Sequence, residues 1–170
     1  GSYLGPGGEA LAAKGGEPVR ATRAPWRKEN KADEEARELE GQSYLRPAQQ
    51  ALEAGQWEAV RTTLEPWLKQ NKGDAEARAL VCESYYRPGA AALSQGDWPV
   101  ARTALAALNA YEASYKDAFE LERQSYLRPA QQALEAGQWE AVRTTLEPWL
   151  KQNKGDGRAL ELCLLHISQT

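Results

Sequence analysis

The 170-residue sequence holds no methionine, one histidine, one phenylalanine and two cysteines, and each shortage removes a class of function. Acid-base or nucleophilic catalysis needs convergent side chains with a base at hand. The lone His166 stands near the end of the chain, at a position where the repeats described below carry serine, so it reads as a terminal residue and no catalytic residue is assigned. Cys82 and Cys163 lie in neither a Cys-x-x-Cys nor a histidine-rich setting. Flanked by Val81, Leu162 and Leu164, they read as buried free thiols, with no metal site and no disulfide. No glycine-rich phosphate loop follows a strand, so no cofactor is indicated.

Charge of one sign is also lacking. The chain has 21 basic and 24 acidic residues, net -3, with the signs interspersed, and the basic field that dominates nucleic-acid affinity is absent. No apolar run approaches the roughly 18 to 20 residues that span a bilayer. The glycine-rich residues 1–8 have neither the charged nor the apolar region of a signal peptide. The expectation is a soluble, cytoplasmic protein with no nucleic-acid or membrane partner. Without methionine, its native start is expected to lie outside this sequence.

Valine, isoleucine and phenylalanine are scarce, while Ala, Leu, Glu, Gln, Arg and Lys dominate. These are straight-chain helix formers, not the residues of half-buried strands, and the fold class they imply is all-α.

The main signal is internal repetition. Residues 42–74 recur unchanged as residues 124–156, an offset of 82. A diverged copy lies halfway: Ser84-Tyr85-Tyr86-Arg87-Pro88 matches Ser43-Tyr44-Leu45-Arg46-Pro47, and Gly96-Asp97-Trp98 matches Gly55-Gln56-Trp57, so the period is 41. A worn copy precedes them, with Ser2-Tyr3-Leu4-Gly5-Pro6, Val19-Arg20 and Pro25-Trp26 in register. The whole chain, 1–170, then reads as a single array of about four units, 2–42, 43–83, 84–124 and 125–165, ending in residues 166–170. Identity over 33 residues points to recent duplication or to design.

Within one unit, apolar residues at 57, 60, 64, 67 and 68 have the spacing of one helical face, which predicts a short helix over 57–70. Asn71-Lys72-Gly73-Asp74 supplies a stop and a start, with Gly73 suited to a left-handed C-cap and Asp74 to an N-cap. A long helix of about 20 residues should follow, with a kink at Pro47, Pro88 and Pro129, because an interior proline removes one hydrogen bond and clashes with the preceding turn. The alternative is a helix that ends at Arg87 and restarts on Pro88, giving three helices per unit. Asp33, Glu34 and Glu35 sit where a helix should begin, and capping accounts for them better than a metal. The recurring Trp57, Trp98 and Trp139 read as helix-junction packing and not as a ligand cage. Arg46, Arg87 and Arg128 recur 41 residues apart and could grip an acidic ligand, or could each pair with a neighbouring carboxylate or carbonyl.

The stretch Ala-x-x-x-Gly-x-Trp, followed by an apolar helix and an Asn/Gly/Asp turn, resembles the tetratricopeptide repeat, whose usual period is 34. Gly55 and Trp57 fall on the family's inter-helix glycine and aromatic, Val60 on its small helix-B residue, Leu64 on its large one, and Tyr44 and Ala48 on its early positions. Pro47, Lys72 and Trp67 depart from the pattern. Seven extra residues, 75–81, would lengthen the first helix by nearly two turns with little change of buried face. A HEAT-like unit remains an alternative that the Gly-x-Trp turn fits less well. The resemblance implies an α-solenoid of helical hairpins, one long and one short helix per unit, acting without catalysis as a protein-protein interaction or scaffold module. It further implies a concave face lined by Leu45, Gln49, Leu52, Glu53, Tyr86, Ser94, Leu127, Gln131 and Glu135, with a peptide or protein segment as partner. Near-identical arrays of this kind resemble the sensor or scaffold arms of bacterial signalling proteins. The alternative is a homo-oligomer formed through exposed repeat ends.

Overall fold

A computed structural model describes the backbone over residues 16–169 and side-chain surroundings over residues 28–165. The motif at 2–6 and the side chains of Arg20, Trp26, His166 and Ile167 lie outside the described residues. Among the described residues the chain is all-helical, with seven helices: α1 (Gly16–Glu53), α2 (Trp57–Gln70), α3 (Ala75–Gln95), α4 (Trp98–Tyr111), α5 (Ala118–Glu135), α6 (Trp139–Gln152) and α7 (Gly157–Gln169). Contacts divide the chain into two compact units, residues 1–47 and 48–170.

The first unit is the larger part of α1. Residues 28–40 are all exposed, and Leu39 is 72 % exposed. The helix start expected at Asp33 does not form, because α1 runs unbroken through residues 30–33. The sequence there is Asn-Lys-Ala-Asp where residues 71–74 and 153–156 are Asn-Lys-Gly-Asp. Alanine favours a helix interior over glycine by about 1 kcal/mol, so Ala32 removes the residue that weakens the helix at this point. Asp33, Glu34 and Glu35 therefore sit mid-helix, with Glu35 3.9 Å from Lys31 one turn away.

In the second unit, consecutive helices pack on one another from α2 to α7, and the long helices α3, α5 and α7 also touch in succession. From α3 onward, the described residues form two buried clusters. One gathers Cys82, Leu93, Leu105 and Leu108; the other gathers Leu127, Val142, Leu146, Trp149 and Leu162. Each joins a long helix, its short partner and the start of the next long helix. Val60, Leu64 and Trp67 are the buried face of α2, as the apolar spacing requires.

The turns are built alike. Gly55, Gly96 and Gly137 adopt φ of 73°, 74° and 70°. At Gly96 two bonds close the helix end, Gly96 N-H to Leu93 O and Asp97 N-H to Ala92 O, the left-handed termination that glycine permits. The indole of each following tryptophan lies 3.6 to 3.8 Å from where a Cβ on that glycine would stand. Trp57, Trp98 and Trp139 are thus half-buried lids on the junctions. Gly73 is not left-handed. Instead Asn71 ends α2, its backbone N-H and its side-chain Nδ2 both donating to Trp67 O, and Asp74 N-H closes on Asn71 O. Asp74 then caps α3 as expected, accepting from Ala77 N-H at 3.1 Å and from Trp67 Nε1 at 2.7 Å.

Pro47, Pro88 and Pro129 are interior to continuous helices, so the three-helix alternative is not what forms. A proline leaves the carbonyl four residues earlier without its helical donor. For Pro88 that carbonyl is Ser84 O, which accepts from Arg61 Nη1 at 3.2 Å. For Pro129 it is Ser125 O, which accepts from Arg102 Nε at 3.1 Å and Nη2 at 2.7 Å. An arginine on the preceding short helix thus satisfies the group that the proline orphans. Pro66 and Pro148 also lie inside helices, on their exposed sides.

Candidate functional site

The arginine that mends each proline also stacks on a ring. Arg61 lies over Tyr85 at 4.2 Å and Arg102 over Tyr126 at 4.3 Å. This Arg-Ser-Tyr latch spans 23 residues and ties a short helix to the next long one. Its counterpart on α6, Arg143, pairs with Glu140 and Glu147 instead, where the sequence has His166 and Ile167 in place of serine and tyrosine.

Successive short helices do not pack on one another. Each intervening long helix is therefore open along one side, and this leaves grooves. The first lies between α2 and α4 on α3, with a volume of about 530 Å³. Arg61, Lys69, Lys72 and Arg78 line it around an apolar floor of Leu68 and Val81, with Tyr85 and Tyr111 at its sides. Arg78 lies 5.0 Å over the Tyr111 ring and 2.6 Å from Glu112. The second lies between α4 and α6 on α5, with a volume of about 770 Å³. It is the same place one period later with a different lining. Ala110, Ala113, Phe119 and Glu122 stand where the first groove has Lys69, Lys72, Arg78 and Val81. Glu58 and Glu65 also line the first groove, paired with Arg61 and Lys69, so a groove of mixed charge and one whose single charged residue is Glu122 occupy equivalent positions.

Of the residues expected on a concave face, Leu45, Leu52 and Leu127 are 5 %, 4 % and 5 % exposed and belong to the buried core. This corrects their assignment to a binding surface: their large apolar side chains serve packing. Gln49, Glu53, Ser94 and Glu135 are exposed. Tyr86 is half-buried and donates its hydroxyl to Asp117 at 2.6 Å, which holds its pKa up at about 12. Gln131 bonds Glu135 on its own helix and accepts from Arg158 of α7. Arg46 and Arg128 are exposed, and Arg87 pairs with Glu83 one turn back on α3. The arginines that bridge a short helix to the next long one are Arg61 and Arg102. Their spacing, 27 residues before a proline in both cases, was the available signal.

Glu83 anchors a further contact. It accepts from Tyr115 Oη at 2.5 Å and from Lys116 Nζ at 3.0 Å, fastening the α4–α5 loop to α3. That loop carries Ser114 and Lys116 at positive φ.

Cys82 is buried and Cys163 half-buried, both as free thiols. Burial pushes the Cys82 thiol up to about 11, far from a reactive thiolate at neutral pH. Among the described residues no group of three or more His, Cys, Asp or Glu could hold a metal ion, and no helix is long and apolar enough to cross a membrane. No protein-family model, curated protein or solved structure matches the chain.

Proposed function

We propose that this chain is a non-enzymatic interaction module, a tetratricopeptide-like α-solenoid whose hairpins present grooves to peptide or protein segments, in the manner of a scaffold or sensor arm of a larger signalling protein. The observation that carries this reading is the pair of equivalent grooves with different linings, the first fringed by ion-paired side chains and the second charged at Glu122 alone among its lining residues. The backbone frame is kept while Lys69, Lys72, Arg78 and Val81 give way to Ala110, Ala113, Phe119 and Glu122. Core positions meanwhile stay apolar, with Val60, Leu64 and Trp67 matched by Ala101, Leu105 and Leu108. Change concentrated on an open surface above an apolar core suits recognition better than packing.

Selection of a displayed peptide library against the chain tests it. The expected result is enrichment of peptides whose binding is lost on Lys69→Glu or Ala110→Leu and kept on Gln49→Lys or Glu135→Lys. Enriched peptides indifferent to both groove variants, or no enrichment at all, would remove the reading.

Self-association is a second reading, favoured by α7. Leu160 and Leu164 are 43 % and 64 % exposed there, whereas Cys82, the counterpart of Leu164, is 2 % exposed in the core it shares with α4. Light scattering that shows mass rising with concentration, and reverting in Leu164→Glu, would support it. A constant monomer mass would end it.

A further inference from the structure

Glu122 lines the groove between α4 and α6 and is only 7 % exposed. Its side chain accepts one hydrogen bond, from Asn109 Nδ2 at 2.8 Å. No cationic side chain among the described residues lies within ion-pair distance. Neighbouring Arg123 is directed elsewhere, to Asp156 and Glu120. A carboxylate withdrawn from water needs a charge partner or several donors, and a single neutral amide meets this only in part. Nor does packing require an acid at this position, because Val81 and Cys163 occupy it in the adjacent units.

The surroundings suit a cation on an aliphatic stem. Ala106, Ala110 and Ala113 leave the wall open where the first groove has Glu65, Lys69 and Lys72. These replacements remove the Glu65–Lys69 ion pair and the charge of Lys72, which leaves Glu122 as the one charged residue of the lining. Phe119 and Trp149, with ring centroids 5.4 Å apart, form an aromatic side to the same space, and Phe119 is 54 % exposed. Aromatic faces attract ammonium and guanidinium groups, more so when water is excluded.

We propose that this groove receives a lysine or arginine side chain of a protein segment, with Glu122 as its counter-ion, Asn109 holding the carboxylate in place, and Phe119, backed by the buried Trp149, flanking the alkyl stem. The proposal deepens the interaction-module reading and rests on it, since it names the chemistry that one groove selects. The neighbouring groove has Val81 in place of Glu122, and its carboxylates Glu58 and Glu65 are already paired with Arg61 and Lys69, so it offers no free counter-ion and a bound segment would be placed in one register along the array.

The test is a nuclear magnetic resonance titration of the intact chain that follows the Trp149 indole N-H, assigned with Trp149→Phe. Three probes are compared: an acetylated and amidated Ala-Ala-Lys-Ala-Ala peptide, its norleucine counterpart and putrescine. The expected result is a saturable shift with the lysine peptide, binding weakened about tenfold or more with norleucine, and a similar loss in Glu122→Gln, which keeps the acceptor for Asn109. Ala110→Leu, which leaves Glu122 untouched and narrows the groove, should also abolish the shift. Equal binding of the lysine and norleucine peptides, equal binding by Glu122→Gln, or no shift overturns the proposal. Putrescine binding more tightly than the lysine peptide overturns it in favour of a free-diamine site. Each of these failures leaves the library selection to decide separately whether the grooves bind protein segments at all.

Discussion

Arg102 donates from Nε and Nη2 to the carbonyl oxygen of Ser125, at 3.1 and 2.7 Å, and this is the oxygen that Pro129 strips of its helical donor. Arg61 stands in the same relation to Ser84 and Pro88. An interior proline costs a helix about 3 kcal/mol, of which the unsatisfied buried carbonyl is about 1 to 3. The arginine recovers part of that cost and at the same time fastens one short helix to the next long one. In this fold proline creates an acceptor at which helices join.

If so, Arg102 and Pro129 are energetically coupled. Arg102→Met should lower stability by about 1 to 3 kcal/mol in the parent chain. In a Pro129→Ala background, where the substituted residue's own backbone N-H can serve Ser125 O, it should cost less by about 1 kcal/mol or more. Urea unfolding of the four proteins measures the coupling, and additive costs would show that the two residues act independently.

Gly89 makes a prediction against local propensity. Its counterparts are Ala48 and Ala130, and alanine is the better helix former by about 1 kcal/mol. A Cβ at 89 would nevertheless meet Leu105 Cγ at 2.8 Å and Ala104 Cβ at 3.3 Å, since α3 approaches α4 closely here. Gly89→Ala should therefore destabilise by about 1 to 3 kcal/mol, with Leu105→Ala in the same chain relieving the clash. A rise in the thermal midpoint of Gly89→Ala would refute the close approach.

The short helices are legible in the sequence because both ends carry chemistry: Gly55 with Trp57 at the start, and Asn71 with Asp74 at the stop. The long helices are legible in extent because Asp74 and Gly96 bound α3 as caps. The first unit misleads because it keeps the Asn, Lys and Asp of the later turn while Ala32, in place of Gly73, favours a continuous helix. The grooves are harder to read. Lys69, Val81 and Tyr111 come from three helices, and only the failure of α2 and α4 to touch makes them neighbours around open space. Alignment displays the exchange of Val81 for Glu122, but not that the position is buried and faces a groove.

Alkaline titration should place Tyr86, like Tyr111 and Tyr115, above the ordinary tyrosine range, and a substitution at Asp117 tells it from the other two. Its hydroxyl bonds the Asp117 carboxylate, which raises its pKa to about 12, above the ordinary value of about 10. A raised tyrosine value means that the contribution to stability is complete below about pH 10 and is lost as pH climbs through about 12. In Asp117→Asn one tyrosine should move back toward about pH 10 in a tyrosinate absorbance titration. Superimposable curves for the two proteins would rule out the bond.

Asp156 and Asp74 offer a matched comparison. Each caps a long helix and accepts from a buried tryptophan, Trp149 or Trp67. Asp156 alone also receives Arg123, at 2.7 and 3.1 Å, because the residue 33 positions before Asp74 is Gly41, which has no side chain to offer. With Arg123 bonded to it first and Trp149 second, and its side chain only 8 % exposed, Asp156 is held well below the usual carboxylate range. A depressed value means that its stabilisation is fully present above the unfolded value of about 4 and drains away as pH falls below it. Asp156→Asn should therefore cost about 1 to 3 kcal/mol near neutral pH and progressively less in acid, so that wild-type and variant stabilities converge. Asp74→Asn, which keeps one oxygen for the cap and loses the indole contact without stranding an arginine, should cost less near neutrality. Urea midpoints for both variants, taken from about pH 7 down to about pH 2, decide it. Equal costs at neutrality would mean that Arg123 adds nothing, and a gap that does not close in acid would mean that the lost interaction was not one of charge.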